Sequence, residues 1–203
     1  ARTNDNYDQY VARQTKGNHD KIEQVWADEQ TIDLICDYLT GSGQPIRAGL
    51  CHGSRNGTEV KWFSQRLGID VIGTDISDTA PQFGLVQWDF HKVNPEWVGK
   101  FDFIYTNSHD HAHDPKMAFS TWADQLAVGG KLFIEESCGC REKRIALLGR
   151  KAERGKARLH HWLATNELTR IFICDLRQFV LCGNPRFDRR FQTADSKLHL
   201  ELT

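Results

Sequence analysis

Three histidines, His109, His111 and His113, alternate with other residues in a short polar segment that also contains Asp110 and Asp114. Imidazole exchanges a proton near neutral pH, so one of these histidines could deprotonate an acceptor hydroxyl or amine. Imidazoles and carboxylates at alternate positions could instead bind a divalent ion. A solvated loop that lines a substrate site is the third interpretation. The three histidines share one face only if the segment is extended.

A second candidate site is the loop from Cys51 to Gly57, which follows an apolar run and precedes a helical pattern. Its glycines allow close approach of a ligand, and the helix N-terminus favours a carboxylate or phosphate. Asp75 closes the next apolar run about 20 residues after Gly53, where a carboxylate can accept both hydroxyls of a ribose. A dinucleotide is the weaker alternative because the loop lacks the G-x-G-x-x-G spacing.

The segments that carry these residues alternate between strand and helix patterns. Strands are predicted at residues 46–51, 70–73, 85–88, 101–105 and 131–134, and helices at 22–39, 58–67 and 115–126. This alternation predicts an α/β fold with a doubly wound, mostly parallel sheet. Residues 168–174 and 178–182 predict an antiparallel hairpin at its edge. Both candidate sites follow strands, where such sheets bind their ligands.

The order of five segments resembles the class I S-adenosylmethionine-dependent methyltransferases, whose fold is Rossmann-like, over roughly residues 46–136. Residues 46–54 resemble the first motif of that family, 71–77 the second, 86–90 the third, 101–108 the fourth strand, and 128–135 the glycine turn that opens the fifth strand. The sequence departs from the family pattern at three positions. Gly49 stands for the usual acidic residue, Cys51 for the first loop glycine and Arg55 for the last.

The resemblance implies that the chain binds S-adenosyl-L-methionine, with the ribose at Asp75 and the adenine at Asp89 and Phe90. The full set of implied cofactor contacts is Gly49, Cys51, His52, Gly53, Ser54, Asp75, Ile76, Asp89, Phe90 and Asn107. His111 and Asn107 are the candidate catalytic residues, with His111 as the base. The acceptor is expected to contact Tyr10, Gln14, His109, His113 and Glu136. No metal ligand is assigned.

The function predicted from this resemblance is transfer of a methyl group to oxygen or nitrogen of a small, anionic acceptor. Residues 141–158 contain eight basic and two acidic residues, a net charge of +6 that suits a rim for an anion or a solvated helix face. A catalytically silent methyltransferase-like domain that acts as an interaction or structural subunit is the first alternative. An RNA-modifying methyltransferase is the second.

The composition of the chain fits one globular domain, since 39% of its 203 residues are hydrophobic and 26% are charged. The expected parts are an N-terminal arm and helical cover at 1–43, a cofactor-binding core at 44–136, a basic insertion or lid at 137–165, and a hairpin and tail at 166–203. A formal charge of −1 gives no whole-chain reason to expect nucleic acid or an acidic membrane as partner. Six scattered cysteines and no recognisable signal peptide predict a cytoplasmic protein with reduced thiols, and a homodimer is a candidate assembly.

Overall fold

The computed structural model describes residues 6–137, 163–164 and 169–174. Four α-helices lie within these residues: α1 (Tyr7–Asp20), α2 (Glu29–Gly41), α3 (Thr58–Leu67) and α4 (Pro115–Gln125). The strands are β1 (Gly49–His52), β2 (Val71–Asp75), β3 (Val86–Gln87), β4 (Phe101–Thr106), β5 (Leu126–Ser137), β6 (Leu163–Ala164) and β7 (Thr169–Cys174). Short 3-10 turns occur at Ala80–Phe83, Pro95–Trp97 and His109–His111.

The strands form one sheet in the order β3-β2-β1-β4-β5-β7-β6. The first five strands are parallel, and β7 pairs antiparallel with both β5 and β6. The prediction of a doubly wound, mostly parallel sheet is therefore confirmed. The predicted edge hairpin is represented by β7, and its expected second strand at 178–182 lies outside the described residues.

Both faces of the sheet are covered by helices. Successive side chains of a strand point to opposite sides, so each strand contributes to two cores. Leu50, Ile104 and Leu132 face α4 and pack with the buried Trp122. Phe103 belongs to the opposite face, whose core includes side chains of α2 and α3. Each large apolar side chain buried in this way contributes roughly 1.5–3 kcal/mol relative to exposure. The two cores hold the carboxyl ends of the strands in fixed relative positions.

The helix predicted from residue 22 begins later in the structure, at Glu29. Asp28 is its N-cap, and the Asp28 carboxylate accepts a hydrogen bond of 3.1 Å from the Thr31 backbone amide. Val25 and Trp26 are exposed, so the apolar residues before the cap do not continue the buried face of α2. The predicted start was wrong because the cap, rather than the apolar spacing, sets the first turn.

The first described residues form a helix where the sequence predicts a polar arm. Asn6 and Gln9 make a reciprocal capping box at the start of α1, and each side chain accepts from the backbone amide of the other residue. Tyr10 is the buried residue of α1. A helix with so narrow an apolar face gives a weak periodic signal in the sequence.

Two strand boundaries differ from prediction for identifiable reasons. β1 begins at Gly49 because the amides of Arg47 and Ala48 donate to the Asp102 carboxylate, at 2.7 and 3.1 Å. β5 begins at Leu126, before the glycine turn, because an irregularity in the register lets Leu126 pair with Phe101. The basic segment at 141–158 lies outside the described residues, as do Cys138 and Cys140. No described helix is long and apolar enough to cross a membrane.

Candidate active site

A cleft lies beyond the carboxyl ends of β1, β2 and β4 and is partly open to solvent. The strand order reverses between β1 and β4, which is where an open α/β sheet binds its ligands. Its walls come from α1 and from the segments that follow β1, β2, β3 and β4. The lining residues are Tyr10, Gln14, Asn18, Gly53, Arg55, Asp75, Ile76, Asp89, Phe90, Ser108 and His111.

The loop after β1 approaches the loop after β4 closely at Gly53. A side-chain carbon at Gly53 would lie 2.6 Å from the Ser108 side chain, and Gly53 has a φ of 74°. The Ser108 hydroxyl donates to the Gly53 carbonyl at 3.1 Å, while the amides of Gly53 and Ser54 both donate to the Thr74 carbonyl at 2.9 Å. Glycine is required here by both the backbone conformation and the close approach.

Asp75 ends β2 at the floor of the cleft and is only 4% exposed. Its carboxylate accepts hydrogen bonds of 2.9 Å from the backbone amides of Arg55 and Ser77 and a further one from the Asn18 side chain. Burial raises the pKa of Asp75 above its usual value, and these hydrogen bonds oppose that shift. Arg55 has a φ of 41°, a left-handed conformation that aims its amide at this carboxylate.

Asp89 is the second buried carboxylate of the cleft. It accepts from the His91 backbone amide at 3.0 Å, from the His91 ring at 2.8 Å and from the Tyr7 hydroxyl. Burial raises its pKa, but the hydrogen bonds from His91 outweigh that effect and leave the pKa below the usual value. The other ring nitrogen of His91 accepts from the Asp114 amide at 3.3 Å. Phe90 lies between these groups and lines the cleft.

His111 reaches the cleft from the 3-10 turn after β4, and its side chain is 60% exposed. Because this segment is a turn and not a strand, the alternation of its histidines does not place them on one face. Across the described stretches (6–137 and the two short strands beyond), no group of three or more His, Cys, Asp or Glu side chains could hold a metal ion. His111 therefore lines the cleft and is also open to solvent.

Tyr10 is the predicted acceptor contact that lies deepest, at 3% exposure. Burial raises its pKa to about 12, against a hydrogen bond with the backbone of His113. Its phenol therefore stays protonated near neutral pH and can donate or accept a hydrogen bond without acting as a base. Gln14 lines the cleft one turn further along α1.

The cleft brings together eight of the residues singled out in the sequence: Tyr10, Gln14, Gly53, Asp75, Ile76, Asp89, Phe90 and His111. Four other residues assigned to the cofactor, Gly49, Cys51, His52 and Ser54, are buried below it. Asn107, His109 and His113 lie on the neighbouring loop and do not line the cleft. The Glu136 side chain lies outside the described part of the chain.

His52 illustrates why a residue in the expected loop need not face the ligand. Its ring is buried on the α4 side of the sheet, stacked on Trp122 at 5.6 Å. The two ring nitrogens lie 2.8 Å from the Thr74 hydroxyl and 2.8 Å from the Gln125 side-chain oxygen. Burial lowers the pKa of His52 to about 4, so the ring is neutral at pH 7.

Asn18, Arg55 and Ser108 line the cleft and were not assigned to it from sequence. For Asn18 a signal was present, since the polar residues Tyr10, Gln14 and Asn18 recur at intervals of one helical turn. Arg55 and Ser108 follow strands, but only the three-dimensional arrangement of the loops shows which of their neighbours face inward.

The sheet order and the position of the cleft define the Rossmann-like methyltransferase fold. A S-adenosylmethionine-dependent methyltransferase from Aquifex aeolicus shares it with a TM-score of 0.50 and 12% identity, over 72% of this chain and 97% of that one. A sugar N-methyltransferase from a Streptoalloteichus species gives a TM-score of 0.47 and 17% identity, over 68% and 56% of the two chains. A geranyl diphosphate C-methyltransferase from Streptomyces coelicolor, solved with S-adenosyl-L-homocysteine, gives 0.44 and 19%, over 60% and 54%.

The chain spans just over half the length of several of these solved structures, including the geranyl diphosphate and sugar enzymes. No protein-family model matches the sequence, and no curated protein matches it. The similarity to the Aquifex aeolicus structure supports the fold alone.

Proposed function

We propose that this chain is a S-adenosyl-L-methionine-dependent methyltransferase that acts on oxygen or nitrogen of a small, anionic acceptor. The observation that carries the proposal is the pair of buried carboxylates, Asp75 and Asp89, on either side of one cleft at the switch point of a methyltransferase fold. Each carboxylate accepts three hydrogen bonds from the protein and has about four acceptor positions, so each can also accept from a hydroxyl or amino donor of a ligand in the cleft.

The residues present fit the nucleoside part of this cofactor. Asp75 stands at the end of β2, where a carboxylate accepts from a ribose, and the Phe90 ring beside Asp89 offers an apolar surface for a purine. S-adenosyl-L-methionine supplies an electrophilic methyl group, so alignment of the acceptor and exclusion of water are the main demands on the protein. In this proposal His111, which lines the cleft, takes the proton that an acceptor hydroxyl or amine loses as it gains the methyl group.

The anionic acceptor is inferred from charge. Arg55 lines the cleft. The basic segment at 141–158 follows β5 in the sequence. A silent structural subunit is the competing function, and the observation that favours it is Gly49, which leaves no carboxylate at the usual first-motif position. An RNA acceptor would use the same cofactor site and differ in the partner of the basic segment.

The test is calorimetric titration of the purified protein with S-adenosylmethionine and with S-adenosylhomocysteine. We expect micromolar binding that Asp75→Ala weakens by about 2 to 4 kcal/mol, because a charge-assisted pair of hydrogen bonds is lost. Asp70→Ala is the matched control, since Asp70 is an exposed carboxylate at the opposite end of the same strand. Folded protein that binds neither compound would support the silent subunit, and unchanged affinity in Asp75→Ala would refute the site.

A further inference from the structure

The carboxylate of Asp75 has three donors already bound to it. The Arg55 and Ser77 amides belong to the backbone of the loops that surround the carboxylate, whereas the third donor is the side-chain amide of Asn18. A carboxylate has about four acceptor positions. One position therefore remains, and a vicinal diol that binds through both hydroxyls needs two.

The Asn18 amide is held in a defined orientation. Its oxygen accepts from the Arg55 guanidinium at 3.2 Å, and its nitrogen donates to Asp75. Arg55 offers only donors and the Asp75 carboxylate only acceptors, so the reverse orientation of the amide would lose both hydrogen bonds. The contact is thus specified by its neighbours on both sides.

The two ends of α1 are attached to the site in different ways. Near its first turn, Tyr7 donates to Asp89 and Tyr10 is buried against the ring of His113, with a centroid separation of 5.1 Å. Just beyond its last turn, the backbone is held by the Asn56 side chain, which donates to the Ile22 carbonyl at 2.8 Å, and by the Arg55 guanidinium, which donates to the Gln24 carbonyl at 3.2 Å. The last turn itself carries His19, which lies 2.8 Å from Asp78 in an exposed pair. Exposed pairs of this kind contribute little. Because the contacts to the Ile22 and Gln24 carbonyls hold the backbone and not the Asn18 amide, the Asn18 side chain can leave Asp75 by a change of rotamer while α1 stays in place.

We infer that Asn18 is a displaceable occupant of the ribose position, so that its side chain and the ribose diol compete for Asp75. This inference rests on the proposed function, because it takes Asp75 as the ribose carboxylate. The Asn18 amide satisfies the carboxylate when no diol is bound and leaves it when the diol donates there. Replacing Asn18 then tightens nucleoside binding, which is the opposite of what a residue that contacts the ligand would do.

The experiment is calorimetric titration of wild type, Asn18→Ala, Lys16→Ala and Asp75→Ala with S-adenosylhomocysteine. We expect Asn18→Ala to bind about 3- to 10-fold more tightly, the range that corresponds to one net hydrogen bond. Lys16→Ala, an exposed change on the same helix, should match wild type. Thermal unfolding of each variant shows that α1 still folds, which alanine favours at a helical position.

The outcomes separate the two claims. Binding by wild type that Asn18→Ala weakens or leaves unchanged overturns the inference and leaves the proposed function intact. Equal tightening by Lys16→Ala also overturns it, because loosening of the whole helix would then be the cause. Absence of binding in all folded variants removes the proposed function and this inference together.

Discussion

The phenolic oxygen of Tyr105 lies 2.5 Å from a carboxylate oxygen of Glu135, across the neighbouring strands β4 and β5. The second carboxylate oxygen accepts from the Asp28 amide at 3.2 Å, so Glu135 joins the start of α2 to the sheet. Burial raises the pKa of Glu135 to about 7 despite both hydrogen bonds, and burial also raises the pKa of the nearby Glu59 to about 7. These two carboxyls make stability depend on pH near neutrality.

Glu135→Gln should change that dependence in a defined direction. A raised pKa means that the contribution of Glu135 is full below its unfolded pKa of 4.5 and is lost as pH rises through about 7. Because glutamine stays neutral and can still accept from Tyr105, the variant should match wild type near pH 5 and exceed it above pH 7. Urea unfolding at both pH values measures this, with the exposed Glu96→Gln as control. Parallel pH curves for wild type and Glu135→Gln would contradict the prediction.

His52→Gln should show the opposite pH dependence. The pKa of His52 falls from 6.5 to about 4 on folding, so its contribution is lost as pH falls from 6.5 towards 4. The stability advantage of wild type over the variant should shrink by about 2 kcal/mol between pH 7 and pH 5. The difference between the two proteins is the quantity to measure, since it cancels the glutamate contributions. The same difference for Gln82→Ala, an exposed change without a titratable group, should stay constant.

Gly49→Ala should destabilise the sheet through a steric clash. A side-chain carbon at this position would lie 2.3 Å from the ring of Phe103 on the adjacent strand. Forcing a methyl group into this packed core costs about 1–3 kcal/mol, and Phe103→Leu in the same chain should recover part of it. Gly41→Ala is the control, because no atom lies within 4 Å of its side-chain position. Denaturant unfolding of wild type and these three variants tests the prediction; equal stability of Gly49→Ala and wild type would contradict it.

Arg66→Ala should have a small effect despite its two ion pairs. Arg66 on α3 contacts Glu29 at 2.7 Å and also contacts Asp33, both on α2, and both carboxylates are about half exposed. Exposed pairs contribute about 0–1 kcal/mol and are screened by salt. We expect a loss in that range at low salt and less at high salt. A loss of several kcal/mol in unfolding experiments at both salt concentrations would show that the helix contact depends on this charge.

The sheet was predictable because its strands are short apolar runs separated by turn residues, and α3 was predicted with its observed bounds, Thr58–Leu67. Asp75 and Gly53 were also predictable, since a turn glycine and an acidic strand end have few local alternatives. The start of α2 was not, because an N-cap at Asp28 overrides the apolar periodicity that continues before it. These successes and errors all concern local chemistry.

The residues that line the cleft were only partly predictable, because the face of each strand that packs against a given helix decides which side chains point into it. His52 adjoins Gly53 in sequence, yet its ring lies on the α4 side, because alternate side chains of β1 point to opposite faces. Asn18 is far from Asp75 in sequence, and nothing local to either residue shows that they meet. Whether such a residue lines the cleft depends on how the rest of the fold packs around it, and not on its residue type.

The pairing of β1 with β4 also bears on the rates of folding and unfolding. Gly49 pairs with Phe103, so the two strands whose ends support the cleft meet only after a long loop closes, and we expect the cleft to form late in folding. A ligand that binds only the fully formed cleft does not lower the free energy of a folding transition state in which the cleft is absent. Such a ligand should lengthen the lifetime of the folded protein and leave the refolding rate unchanged.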